Sequence, residues 1–286
     1  MVSSELVAKL AGRTVIASIS GGKDSTALSL WLTEQGIEHE RVHLLTGWDS
    51  QVTMDYLRGE LTRALGPIQE IRGPLLMRDL ILKKGMFPSR QRRFCTEELK
   101  ILPMQRFLRE RDDDCVNAIG IRRAESAARS AALEWEWSSV FDCEVWRPLV
   151  DWSEQDVIDI HRRHNVAPNP LYLQGAERVG CWPCINARKS EIRMLAVRDP
   201  ARIDELEELE TLIGDAGLAR WERDRAAWLA NPPPEPAENT AAHDLWAKKK
   251  KRLLDQPFNP PVFSSAPYRE TTIKTACRSA RWSIGA

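Results

Sequence analysis

The stretch "SISGGKDST", residues 18–26, decides the fold. A β-branched run, "RTVIA", precedes it; "ALSLWLTEQG", with helical apolar spacing and a closing glycine, follows. Strand, glycine turn and helix in that order present unpaired N–H groups and the positive end of a helix dipole, which suits phosphate. Gly21 and Gly22 let a ligand approach the backbone closely. The pattern is not the G-x-x-x-x-G-K-[ST] loop, because Ala17 stands at the first glycine position and Asp24 follows the lysine. Nor does it fit G-x-G-x-x-G. A carboxylate beside a phosphate needs a counter-charge, so Asp24 is expected to ligate Mg2+ and Lys23 to clamp phosphate. A glycine turn that merely starts a helix is the plainer alternative.

Outward from this loop, strand and helix signals alternate. "ERVHLLTG" is a second buried strand, "DSQVTMDYLRGELTRALG" an amphipathic helix capped by Asp49 or Ser50, and "PIQEIRG" a third strand. "TEELKILPMQRFLRER" then predicts a helix and "CVNAIGIR" a strand, and Ser153 caps a later helix. Such alternation implies an α/β fold, a doubly wound, mostly parallel sheet with helices on both faces. Residues 1–190 form that domain, and 191–286 are a helical region with a Pro-rich connector at 231–240. There, "WAKKKKR" (246–252) is a basic patch able to contact DNA phosphates, with a solvated helix face as the alternative.

In this chain of 286 residues, 41 Lys and Arg balance 41 Asp and Glu, so no global field draws it to a polyanion. The N-terminus does not resemble a signal peptide and no apolar run is long enough to span a bilayer, so a soluble, cytoplasmic protein with no membrane partner is expected. Six cysteines in that compartment stay reduced. Cys181 and Cys184, in "GCWPC", are spaced for one metal. Cys95, beside Arg92 and Arg93, is expected to favour its thiolate. Cys115 lies in an apolar strand and belongs to the core, and Cys143 fits either role.

"SGGKDS" resembles the PP-loop of the ATP pyrophosphatases, which cleave ATP between the α and β phosphates and leave an adenylated substrate. "RRFCTEELK" (92–100), "GIRRAESAARS" (120–130) and "WRPLVDWSEQDVIDIHRRHNVAPNPLYLQGAERVGCWPC" (146–184) together resemble the phosphoadenosine-phosphosulfate reductase family, over residues 13–190. The resemblance implies an adenine nucleotide alpha hydrolase-like, Rossmann-type fold. It implies ATP bound by Ser18, Ser20, Gly21, Gly22, Lys23, Asp24, Ser25, Thr46, Gly120 and Arg122, with Lys23, Asp24 and Arg122 catalytic. Gly47 joins Thr46 near the adenine and ribose. Arg122, Arg123 and Arg129 follow a strand end, where open α/β sheets bind ligand and arginine forks match phosphate oxygens. Cys277 resembles the Cys-Ser pattern of iron–sulfur members, which implies a 4Fe–4S cluster on Cys95, Cys181, Cys184 and Cys277, with Cys143 the alternative fourth ligand. Four thiolates also suit zinc.

The resemblance departs from true sulfonucleotide reductases in two ways. Their phosphate loop is degenerate while this one is intact, and their terminal Glu-Cys-Gly-Leu is replaced by "CRSARWSIGA". It therefore points to an ATP pyrophosphatase that adenylates a substrate oxygen for sulfur transfer. The closest kind is the sulfurtransferase component of DNA phosphorothioation systems (Dnd-type and Ssp-type), with a cysteine desulfurase as sulfur donor and DNA or DNA-processing proteins as partners. A sulfonucleotide reductase, a tRNA thiolase and a non-catalytic ATP-binding subunit remain alternatives, and a homo-oligomer stays open.

Overall fold

A computed structural model describes residues 3–111 and 114–259. The chain divides into two compact units: residues up to Met77 with Arg90–Met194, and Arg78–Ser89 with the chain from Leu195 on. The sheet lies wholly in the first unit. The helical region thus recruits residues 78–89 from inside the stretch read as one domain, because the intervening helix packs with the C-terminal ones.

In chain order the first unit begins with α1 (Ser4–Leu10), β1 (Thr14–Ser18), α2 (Lys23–Glu34) and β2 (His39–Leu44). Next come α3 (Gln51–Tyr56), α4 (Thr62–Leu65) and β3 (Gln69–Ile71), a π-turn at Leu57–Leu61 joining the two helices. Helix α5 (Met77–Lys84) leads into the second unit, and the chain returns through α6 (Phe94–Thr96), a π-turn at Glu97–Ile101, α7 (Leu102–Arg109) and β4 (Cys115–Ala118). Then follow β5 (Trp135–Ser138), β6 (Cys143–Trp146), α8 (Glu154–Arg163) and α9 (Pro170–Leu173). Helix α10 (Lys189–Arg198) crosses the boundary, and α11 (Pro200–Ala230) and α12 (Ala241–Lys250) complete the second unit.

The six strands stand in the order β3-β2-β1-β4-β6-β5, parallel except for the edge strand β5. One face buries Val15, Ala17, Val116 and Ala118 against Leu28 of α2, Met54 of α3 and Ile160 of α8. The opposite face buries Ile16, Val42, Cys115 and Cys143 against Met104 and Leu108 of α7. Alternate residues of one strand thus feed two cores, as a sheet covered on both faces requires. Trp146, fully buried, stacks on Trp135 with ring centroids 5.0 Å apart, and Lys9 caps that ring at 3.8 Å. The predicted cap of α8 is present as a capping box between Ser153 and Asp156.

The topology fixes where a ligand belongs. From β1 the chain winds outward through β2 and β3, then crosses back to lay β4 on the other side of β1. Adjacent connections therefore leave in opposite directions at the carboxyl ends of β1 and β4, the switch point of an open α/β sheet. The glycine loop follows β1 and Gly120–Arg122 follows β4.

The second unit buries Ile203, Leu206, Leu209 and Ile213, one stripe of α11 at helical spacing, together with Leu80 and Ile81 of α5. Arg78 Nη2 sits 2.9 Å from Glu208 Oε1 within this unit. Residues 231–237 have no regular structure, in keeping with "NPPPEP".

Candidate functional site

The loop is shaped by contacts that only glycine permits. Gly21 has φ +75°, and a Cβ there would stand 2.9 Å from Thr53 Cγ2. At Gly120 a Cβ would meet the Asp24 carbonyl oxygen at 2.6 Å and Ser25 Cα at 3.0 Å. The β4 loop therefore presses on the first turn of α2 backbone to backbone. Gly22, the N-cap residue of α2, is buried, and its carbonyl accepts from Ser25 Oγ at 3.0 Å and Thr26 Oγ1 at 3.1 Å. Ser20 Oγ and Ser25 Oγ lie 3.1 Å apart, and the Ser20 amide donates to Ser25 Oγ at 3.1 Å.

Two amides of this turn rest on hydroxyls. Gly22 N donates to Ser20 Oγ at 3.4 Å, and Lys23 N donates to the Tyr172 hydroxyl at 3.2 Å. Both are helix-start donors of the kind that bind anions, and an incoming phosphate oxygen can replace either hydroxyl. Burial raises the Tyr172 phenol pKa, so it stays protonated.

Charge gathers around Asp24. Arg122 Nε donates to Asp24 Oδ1 at 2.5 Å, with the Arg122 side chain only 6% exposed. Lys23 Nζ is 3.7 Å from Asp24 Oδ2 and 3.3 Å from Glu154 Oε1, and its ammonium lies 5.3 Å from the Tyr172 ring centre. Partial burial lowers the Arg129 pKa; Asp24 raises it, and Arg178 and Arg122 lower it further. Lys23 and Arg122 thus flank the Asp24 carboxylate and Arg129 lies within its field, while Glu154 and Glu125 pair with Lys23 and Arg129. Asp24, expected to ligate Mg2+, is paired with Arg122 and Lys23. Arg123 turns away to pair with Asp151.

Among the other expected nucleotide contacts, Ser18 ends β1 and pairs in register with Val42. Thr46 is buried beyond β2, and its hydroxyl donates to Asp49 Oδ2 at 2.8 Å and accepts from Trp48 N at 3.1 Å. Gly47 follows at φ +67°, where a Cβ would meet Leu76 Cβ at 2.9 Å.

Cys181 bridges in antiparallel fashion to Asp49, Trp182 N donates to Trp48 O at 2.7 Å, and Trp48 Nε1 donates to Pro183 O at 3.2 Å. These bonds set the "GCWPC" turn beside the loop that follows β2. Cys181, Asp49, Cys184 and Cys95 all raise the pKa of Lys100, Cys181 most strongly. Three of the expected cluster cysteines therefore act electrostatically on Lys100. Burial pushes the Cys181 thiol up to about 11, against the pull of Lys100.

Cys95 corrects an expectation. Its thiol is buried and its pKa is raised, because desolvation outweighs the nearby cation. That cation is Lys100; Arg92 and Arg93 are exposed. Cys143 sits in the β6 core with Cys115, Met104 and Leu108. Cys277 lies outside the described residues. Among the described residues no three His, Cys, Asp or Glu side chains stand in metal-holding geometry. The donor set nevertheless fits a cluster chemically: three soft thiols beside a lysine that offsets the charge of a thiolate-ligated iron–sulfur group.

Three residues of this site had no assigned role in the sequence. Asn169 Nδ2 donates to Gly21 O and to Thr53 Oγ1, both at 3.2 Å, locking the loop from behind. His161 is buried and donates through Nε2 to the Lys23 carbonyl at 2.9 Å. Tyr172 is the third. The Asn-Pro pair at 169–170 was the available signal, since Asn caps and Pro starts α9.

A glycine loop at a switch point and a buried arginine–aspartate pair flanked by Lys23 make a candidate ligand site of an open α/β sheet. Residues 14–187 match the family model described as the phosphoadenosine phosphosulfate reductase domain, and the chain belongs to that family. An uncharacterized 37.8 kDa protein of Escherichia phage 186 is 32% identical over 69% of this chain and 75% of its own length. The adenosine 5'-phosphosulfate reductase of Allochromatium vinosum is 35% identical, but over only 35% of this chain and 37% of that protein. A crystal structure of phosphoadenylyl-sulfate reductase from Candida auris, in phosphate complex, aligns with a TM-score of 0.49 at 17% identity, covering 64% of this chain and 97% of that one. Among the described residues no helix is long and apolar enough to cross a membrane.

Proposed function

We propose that the chain is an ATP pyrophosphatase that adenylates a substrate oxygen for sulfur transfer, with the DNA backbone as acceptor, as in phosphorothioation. The observation that carries this reading is the intact loop: glycines whose replacement would collide with the wall, two helix-start amides on displaceable hydroxyls, and Lys23 and Arg122 at its mouth. The loop amides and Lys23 would hold the β and γ phosphates, while Arg122 and Arg129 offset charge as the α–β bond breaks. Mg2+ would enter at Asp24 by exchanging with Arg122, freeing that guanidinium for phosphate. The substrate oxygen attacks the α phosphorus, pyrophosphate departs, and AMP becomes the leaving group that a sulfur nucleophile displaces. Thr46 and the loop at Gly47 would meet the nucleoside end. Cys95, Cys181 and Cys184, with Cys277, would hold a 4Fe–4S cluster that supplies a landing site for sulfur and electrons. A cysteine desulfurase would provide the sulfur.

A second reading is sulfonucleotide reduction, favoured by the family match and by the named adenosine 5'-phosphosulfate reductase relative. Lys23, Arg122 and Arg129 would then hold a phosphosulfate. Calorimetry decides between them: ATP with Mg2+ binding more tightly than adenosine 5'-phosphosulfate or its 3'-phosphate supports adenylation. The reverse order overturns it. Iron and sulfide assays on anaerobically purified protein test the cluster, and a colourless, zinc-loaded sample would remove it.

A further inference from the structure

The second unit carries a surface that the nucleotide site does not use. Lys248, Lys249, Lys250, Lys251 and Arg252 are consecutive and all exposed, at the end of α12 and in the π-turn Lys251–Asp255. In a chain with no net charge, such a run is a local choice. Arg252 lies 3.8 Å from Asp224, while Lys248 to Lys251 form no ion pair among the described residues. A helix C-terminus gains from one or two cations, about 0.3–1 kcal/mol each, but five in a row also repel across one turn. Dipole complementarity alone does not account for them.

Aromatic rings hold two of these cations in place. Lys249 Nζ lies 5.6 Å from the Trp228 ring centre and Lys250 Nζ 4.7 Å from that of Trp246. Trp246 Nε1 donates to Pro233 O at 3.2 Å, and Trp221 Nε1 donates to Arg252 O at 3.1 Å, so the rings are fixed to the backbone. The Trp228 and Trp246 ring centres are 5.9 Å apart, joining α11 to α12. The charges therefore stand on a scaffold within this unit rather than on a loose tail.

We propose that residues 248–252 form a sequence-independent binding surface for the phosphate backbone of duplex DNA; as a contact for the DNA acceptor, it rests on the reading above. Charge complementarity identifies a polyanion. Geometry favours a duplex over a flat anionic membrane, because successive side chains fan out at about 100° steps around the helix. A flat surface engages one side of such a fan, whereas a groove walled by phosphates on both sides engages several. The rings are engaged by lysines and backbone carbonyls, so recognition comes through phosphate and carries no base code.

The test is fluorescence anisotropy of the full chain with a labelled random-sequence duplex, titrated with KCl from about 50 mM. The expected slope of log K against log salt is about −4, from four to five phosphate contacts. Replacing Lys248, Lys249, Lys250 and Lys251 together by Gln removes about four from that slope; Lys248→Gln with Lys251→Gln, which leaves both rings covered, removes about two. Four Lys→Arg changes keep the binding. An unchanged slope in the double variant overturns the proposal, as does duplex binding too weak to detect at the lowest salt. Capture by phosphatidylserine vesicles without duplex binding also overturns it. Pyrophosphate release from ATP is measured in the same variants: its absence in the parent chain counts against the adenylation reading, while the salt slope alone judges this surface.

Discussion

Replacing Gly120 by alanine tests how the two halves of the site are joined. The new Cβ would lie 2.6 Å from the Asp24 carbonyl oxygen, 3.0 Å from its carbon and 3.0 Å from Ser25 Cα. Ordinary contact begins near 3.5 Å, so the β4 loop and the start of α2 must part by about 0.5–1 Å. All three atoms are backbone, so no rotamer change relieves the clash. Overpacking of this kind costs about 1–3 kcal/mol, and the upper half of that range applies where both sides are rigid. For a domain of this size, about 2 kcal/mol lowers Tm by roughly 4–8 °C. Function falls further, because the movement displaces Asp24 from its 2.5 Å bond with Arg122 and tilts the loop amides. A displacement near 1 Å in positioning groups is worth up to about 100-fold in rate. Thermal melts by circular dichroism and ATP-dependent pyrophosphate release read the two effects. Gly59→Ala is the control: its Cβ would meet nothing within 4 Å in a helical turn, so it should gain about 0.5–1 kcal/mol. Wild-type melting and wild-type turnover in Gly120→Ala would refute the reasoning.

Three further outcomes are expected. Arg122→Ala leaves the Asp24 carboxylate, with a side chain 17% exposed, without its closest cation; urea unfolding should register a loss of about 3 kcal/mol, and wild-type stability would show the pair is idle. Tyr172→Phe keeps the ring near Lys23 but removes the acceptor from the Lys23 amide, so the free protein loses about 1 kcal/mol. Because phosphate satisfies that amide when bound, ATP should bind about five-fold tighter by calorimetry, and weaker binding would contradict the displacement scheme. His39 is held neutral, mainly by burial, with its pKa lowered from 6.5 to about 4, while Nδ1 donates to Ile37 O and Nε2 accepts from Ser29 Oγ. Its folded value lies below its unfolded one, so its contribution is full above about pH 6.5 and is lost as pH falls toward about 4. After discounting for partial exposure the loss is about 1–2 kcal/mol, and His39→Gln should flatten that part of the urea-stability profile. A profile identical to wild type would assign the acid sensitivity elsewhere.

The parallel sheet was legible because β1 and β4 are buried and largely apolar and run into turn glycines, so local pattern and tertiary role agree, whereas β2 buries only Val42 and His43. The edge hairpin of β5 and β6 was not. "WEWS" alternates large apolar with polar residues, and it pairs only through a strand further along the chain. Residues 20–25 fall between β1 and α2, as their local spacing requires. Tyr172, Asn169 and His161 reach the loop from about 140–150 positions away, and sequence spacing carries no record of such contacts. Cys95 shows the opposite failure: neighbouring arginines suggested a thiolate, but burial outweighs nearby charge and Lys100, brought round by a π-turn, is the cation that acts.

The most direct measurement is product analysis after incubating the full chain with α-labelled ATP, Mg2+ and an oxygen acceptor. Adenylation yields AMP, free or attached to acceptor, with one pyrophosphate for each ATP consumed, and Lys23→Ala and Asp24→Ala abolish both. ADP with inorganic phosphate, or AMP that forms equally well in those variants, would contradict the claim that this loop grips the β and γ phosphates.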